Sequence, residues 1–227
     1  MVQHLGEMDP RDPRWDMAAA AANDLSVAQM AERDRVFVEV LRDCTVALGE
    51  TGLRYGLIGG IASSGYGRPR WTHDIDVFCR PDDAGRVLEV LARHGFDTER
   101  TDPHWLFKGF KKDVLVDVIF QSHGAIYLDA EMIEHIVMRE HLGVLVPLIA
   151  PEDLLVMKAV VHDEQGPRHW HDALGLIAGG CLDWAYLLRR GQRAPRRVLS
   201  LLVYAHSLDL DVPNHVIKDL YHRVYES

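Results

Sequence analysis

Residues 55–78 read YGLIGGIASSGYGRPRWTHDIDVF, and this stretch decides the fold. A short apolar strand over residues 55–58 runs into Gly59 and Gly60, a small-residue turn follows, and a second strand over residues 74–79 carries Asp74 and Asp76 on either side of Ile75. Side chains alternate across a strand, so Asp74 and Asp76 share one face with Cα atoms roughly 6–7 Å apart, while Ile75 and Val77 face a core. Two carboxylates that close repel unless a cation lies between them. A hairpin with a polar face would explain the turn and leave the acids without a reason.

A third acid lies further along. Residues 114–119, VLVDVI, form an apolar strand interrupted by Asp117 alone, which is placed to join Asp74 and Asp76 from a neighbouring strand. Three carboxylates suit a hard divalent ion, Mg²⁺ or Mn²⁺, which takes oxygen ligands. Paired ions about 3.5–4 Å apart are the usual clamp for phosphoryl and nucleotidyl transfer. The glycine turn supplies a complementary half: Gly59 and Gly60 let backbone amides approach an anion, Ser63 and Ser64 add hydroxyls, and the helix they open directs its N-terminus at a phosphate. Other nucleotide and metal motifs fail on spacing. GxxxxGK[ST] is absent, GGIASSG is not GxGxxG, and an EF-hand loop needs Asp or Asn where Phe78 stands.

Apolar-Gly-Gly, thirteen residues, then Asp-apolar-Asp-apolar, with a later Asp on a strand, resembles the polymerase-beta-type nucleotidyltransferase superfamily over roughly residues 53–120. Arg70-x-Thr-x-Asp74-x-Asp76 and the helix start PEDLLVMK at residues 151–158 resemble its small bacterial members, among them antibiotic nucleotidyltransferases and the nucleotidyltransferase toxins of toxin–antitoxin and abortive-infection systems. The resemblance implies Asp74 and Asp76 as metal ligands, Asp117 as metal ligand and general base, and Gly59, Gly60 and Ser63 as a triphosphate cradle, with Lys158 reaching the same phosphates. It implies transfer of NMP from an NTP to an acceptor hydroxyl or phosphate with release of pyrophosphate. Alternatives of other kinds are a tRNA-modifying toxin restrained by an antitoxin protein, and an inert member that binds only nucleotide or a partner. The chain departs from the small members where they carry Lys-Asp-x-x-Asp: here stands His169-Trp170-His171-Asp172, and only Asp172 carries over.

Around this centre, residues 1–14 read as a poorly ordered tail. Residues 15–48 favour helix, with a break or cap near residues 23–26 and a stop at Gly49. Pro81 opens and Gly95 closes a helix over residues 81–94. Residues 105–110 and 114–120 form a hairpin, and residues 142–147 a further strand. Helices follow at residues 151–162, 169–178, 182–190, 195–207 and 213–225. The expected fold is α+β: a small mixed nucleotidyltransferase sheet flanked by helices over residues 15–150, then a helical domain over residues 151–227.

Composition narrows the setting. A formal charge of −9 argues against broad affinity for nucleic acid, which needs Lys and Arg in excess at the contact. The run of five arginines within residues 189–197 is a local candidate for RNA, weighed against a solvated loop. Arg68 and Arg70 either bind phosphate oxygens or line a solvated loop. His162, His169 and His171 invite a metal-dependent hydrolase reading, against which Pro167 interrupts the helical spacing. Trp105, Trp170 and Trp184 are expected in the core or at a domain interface. Three separated cysteines suit a reduced cytoplasm, and no apolar run reaches the length of a membrane span or a secretory signal.

Overall fold

A computed structural model describes residues 27–67, 71–163 and 167–226. Its elements in chain order are α1 (Val27–Gly49), β1 (Tyr55–Leu57), α2 (Gly59–Gly65), β2 (Asp74–Cys79), α3 (Pro81–Arg93), β3 (Asp97–Asp102), β4 (Leu106–Lys111), β5 (Val114–Ile119), α4 (Ala130–Glu134), β6 (Val137–His141) and β7 (Val144–Leu148). The helices α5 (Pro151–Val161), α6 (Arg168–Ala178), α7 (Trp184–Arg190), α8 (Pro195–Ser207) and α9 (Asn214–Tyr225) follow, with a 3₁₀ turn at Gly191–Arg193. The expected tail over residues 1–14 and the first part of the long helix fall outside the described residues.

Seven strands form one mixed sheet in the order β3-β4-β5-β2-β1-β7-β6. β1 runs antiparallel to β2 and parallel to β7, and β2 runs parallel to β5. Strands β3 to β5 make an antiparallel meander and β6 to β7 a hairpin. The α+β expectation holds. Two strands escape the sequence reading, β3 (DTERTD) and β6 (VMREH), because both are sheet edges. An edge strand gains ladder hydrogen bonds without burying a face, so it carries no apolar period, and its charges guard against edge-to-edge pairing.

The central strands alternate as period-2 geometry requires: Ile75, Val77, Val116 and Val118 are fully buried, whereas Asp74, Asp76 and Asp117 are half-buried on the opposite face. Pro81 at the first turn and Asp82 and Asp83 behind it start α3, and Gly95 with φ +79 follows its C-terminus. Helices α1 and α3 and the later helices α5 to α8 share one hydrophobic core with the sheet. Cys44 and Cys79 lie in that core and Cys181 is exposed. Among the described residues no helix is long and apolar enough to cross a membrane.

Helix α5 is buried almost all round, including Glu152, Asp153 and Lys158. Its acids meet the arginine run. Arg190, itself buried, donates from Nε to Asp153, from one terminal nitrogen to Asp129 (2.9 Å) and from the other to Glu131 (3.2 Å). Tyr186 Oη donates to the second oxygen of Asp153. Arg189 pairs with Glu131, Arg193 with Asp129, and Arg197 donates to the His162 carbonyl. Four of the five arginines are thus engaged within the protein, which weakens the run as an RNA contact. Removing one partner of a buried pair leaves the other charge stranded. Arg190→Met is expected to destabilise the fold by about 3–5 kcal/mol in urea denaturation, and pairing it with Asp153→Asn should recover part of the loss.

Candidate active site

The parallel register of β2 and β5 sets Asp76 opposite Asp117, with Asp74 two residues back on the same face. One oxygen from each of Asp74, Asp76 and Asp117 lies within 4.8 Å of the others, and among the described residues this is the one such group of potential metal ligands. Among the described residues no second cluster gathers around His162, His169 and His171: the His162 ring packs 4.5 Å from Trp170, and His169 lines the same cavity as the three acids.

Each carboxylate has a distinct environment. Thr72 Oγ1 donates to Asp74 Oδ1, a contact within a single strand lead-in that the Arg-x-Thr-x-Asp sequence encodes. Asp76 is pushed up to about 7, first by burial, then by the charges of Asp74 and Asp117, against the pull of Lys158 and a hydrogen bond from the Gly60 N–H. Burial, with a further push from Asp74, also raises Asp117, opposed by Lys108 across the β4–β5 ladder. Asp117 Oδ1 is buried and accepts no hydrogen bond. A buried carboxylate oxygen without a donor is unfavourable by itself. Facing two other acids, it has the chemistry of a ligand atom for a hard cation.

The glycine turn sits against these acids. Gly59 has φ +62, and a Cβ added there would lie 1.7 Å from Asp76 Oδ2, so glycine is required for both backbone and space. The Gly60 amide is committed to Asp76. Ser63 is buried and its hydroxyl donates to the Gly59 carbonyl (2.7 Å), while Ser64 is half-buried at the next position. Of these four, Gly59 lines the cavity directly. Arg70, with Arg68, lies outside the described residues. Lys158 is not solvated: it is buried, its Nζ is 2.9 Å from Asp172 Oδ2, and it lines the cavity beside the acids.

The cavity, about 270 Å³, is closed by α5 and α6 on one side, through Leu154, Met157, Lys158, Val161, Arg168 and His169. Trp105, Ile119, Gln121, Ser122 and His123 form the other side. Sequence reasoning placed Trp105 with Trp170 and Trp184 in a core or interface. Trp170 and Trp184 do pack against the core, but Trp105 is 40% exposed at the cavity wall. Nothing in the turn sequence around Trp105 distinguishes a wall from a core residue, because the difference lies in how β4 registers with β5.

The family model described as "Nucleotidyl transferase of unknown function (DUF2204)" matches residues 15–172. No curated protein matches the sequence. The crystal structure of an antigenic nucleotidyltransferase-like protein from Paracoccidioides brasiliensis aligns with TM-score 0.52 at 13% identity, over 84% of this chain and 97% of that one. ANT(2'')-Ia in complex with adenylyl-2''-tobramycin aligns with TM-score 0.48 at 16% identity, over 76% and 98%. The lincosamide antibiotic adenylyltransferase LnuA, bound to lincomycin, aligns with TM-score 0.42 at 15% identity, over 57% and 89%. At 13% identity, the likeness to the Paracoccidioides brasiliensis protein is one of fold.

Two outcomes follow from the geometry. Asp76 holds its proton to about pH 7 when folded and releases it near its ordinary value of 3.8 when unfolded, so the metal-free protein is most stable below about pH 4 from this group and loses that contribution as pH rises to about 7. Asp76→Asn should remove about 2–4 kcal/mol of that fall, read from urea midpoints in EDTA across the interval. Gly59→Ala should destabilise by roughly 1–3 kcal/mol through its left-handed backbone and the displaced carboxylate, measured in the same way.

Proposed function

Because the chain belongs to the nucleotidyl transferase family of unknown function (DUF2204), we propose that it moves an NMP unit from an NTP to an acceptor hydroxyl or phosphate with release of pyrophosphate, in a reaction that depends on Mg²⁺ or Mn²⁺. The observation that carries this reading is the convergence of Asp74, Asp76 and Asp117 within 4.8 Å beside a glycine turn. An inert member would have no need to hold repelling carboxylates together.

The three residues fit a divalent cation by donor type and by the orphaned Asp117 Oδ1. When bound, the ion supplies charge neutralisation for the triphosphate oxygens and orients them for displacement. The chain's own residues do the rest. Asp74 and Asp76 present oxygens from one strand face, held by Thr72 and by the Gly60 N–H. Asp117, whose carboxyl burial makes a better proton acceptor, is the residue to take the proton from an acceptor hydroxyl. Gly59 forms the side of the pocket that the triphosphate approaches, with the Gly60 amide behind it on Asp76, and Ser63 supports the turn through the Gly59 carbonyl. Lys158, fixed by Asp172, sets a positive charge next to the acids on the same side.

The test is transfer of label from α-phosphate-labelled NTPs, offered one at a time, into cell extract with Mg²⁺. Wild type should label an acceptor, and the double substitution Asp74→Ala with Asp76→Ala should lower labelling about 100-fold or more. Equal labelling by both proteins would sink the proposal.

A further inference from the structure

Resting on that reading, we propose that Trp105 is the stacking platform of the acceptor subsite, and that the acceptor carries a flat ring close to its reactive group and is not a polycation. The sheet order β4-β5-β2-β1 sets four features in a row: Trp105 just before β4, Asp117 on β5, Asp74 and Asp76 on β2, and Gly59 just after β1. The carboxylates therefore stand between the indole and the glycine turn. With the triphosphate on the glycine side, the face toward Asp117 and Trp105 is left for the acceptor.

The indole is built to stay in place. Asp102 accepts from Trp105 Nε1 (3.1 Å), from the His104 backbone N–H (2.8 Å) and meets His104 Nδ1 (3.1 Å). The Trp105 carbonyl accepts from the Phe120 N–H (3.0 Å), tying the turn to the end of β5. With its N–H satisfied, the ring is left to offer its apolar face, and it does so half-exposed at a cavity wall and not in the core. A rigid aromatic face beside a polar edge made of Gln121, Ser122 and His123 suits a planar ring with hydrogen-bonding substituents. Apart from the three carboxylates, no described residue lining the cavity is acidic, and its remaining ionisable side chains are basic: Lys158, Arg168, His123 and His169. With the three carboxylates committed to a divalent ion, the cavity lining offers a polyamine no further carboxylate to pair with.

The test compares wild type, Trp105→Phe and Trp105→Ala of the full chain, each first checked for an unchanged melting temperature. Trp105→Ala should raise the extract concentration needed for half-maximal labelling about tenfold or more, Trp105→Phe should preserve it, and NTP affinity should be the same in all three. The Trp105 indole N–H signal, identified by its loss in Trp105→Phe, should hold its position when a non-hydrolysable analogue of the active NTP is added with Mg²⁺. The labelled product should pass through a cation exchanger. Weaker NTP binding in Trp105→Ala, or a shifted indole signal, would assign the platform to the nucleobase and overturn the inference, as would unchanged labelling in Trp105→Ala or a product retained on the exchanger. Absence of labelling by wild type would instead remove the transfer reading itself, and this inference with it.

Discussion

Like charges brought within 4.8 Å in a half-buried cleft push apart with an energy that bulk water no longer screens. The strands carrying Asp74, Asp76 and Asp117 keep their register because forces elsewhere hold them. The opposite faces of those strands are a continuous apolar layer, with Ile75, Val77, Val116 and Val118 fully buried, and a slip of one residue would turn these into the cleft and the acids into the core. The hydrophobic pattern therefore fixes the position of the acids more firmly than any contact the acids make. Local donors then lower the remaining strain: Thr72 on Asp74, the Gly60 amide on Asp76, and the nearby charges of Lys158 and Lys108.

The second requirement is a wall that keeps the cleft partly closed to water, and α5 provides it. A helix buried on all sides must satisfy any polar group it carries. Lys158 on one side is paired with Asp172 of α6, while Asp153 and Glu152 on another are taken by Arg190, Tyr186 and the Asp183 N–H. Asp183 in turn caps α7 through the Ala185 and Tyr186 amides. The arginine run, which in the sequence stood between an RNA contact and a solvated loop, is thus the means by which α4, α5 and α7 are fastened together. Its charges are largely answered within the protein by Asp129, Glu131 and Asp153.

The strands and glycines of the centre were legible in the sequence because their physics is local. Alternation at residues 74–79 and 114–119, a proline at the first turn of α3, and a left-handed glycine after it each leave a mark within a few residues. The edge strands β3 and β6 left none, since their stability comes from pairing with β4 and β7 and not from a buried face. The short helix α4 went unseen for the same reason: one buried residue, Met132, and a cap from Asp129 are too little pattern to read. Lys158 and Arg190 read as ambiguous because a charge in a helix is solvated by default, and only the partners brought in from α4, α5 and α6 decide otherwise. Trp105 was misread for a related reason, its exposure being set by long-range strand register.

In-line displacement at phosphorus asks for two unlike sides, one to receive the leaving pyrophosphate and one to deliver the attacking oxygen, with charge stabilisation between them. Parallel pairing of β2 with β5 gives the cleft two unlike sides. Had the two strands been joined by a tight hairpin, the acids would face a connecting turn. Instead the crossover through α3, β3 and β4 leaves the ends of both strands open, and antiparallel β1 returns the glycine turn to one flank while β4 brings an indole to the other. The row of carboxylates consequently divides the cavity into a backbone and cationic half around Gly59 and Lys158 and an aromatic and amide half around Trp105 and Gln121. The asymmetry of the pocket is a property of strand order, so variation around Trp105 and Gln121 need not disturb the carboxylates.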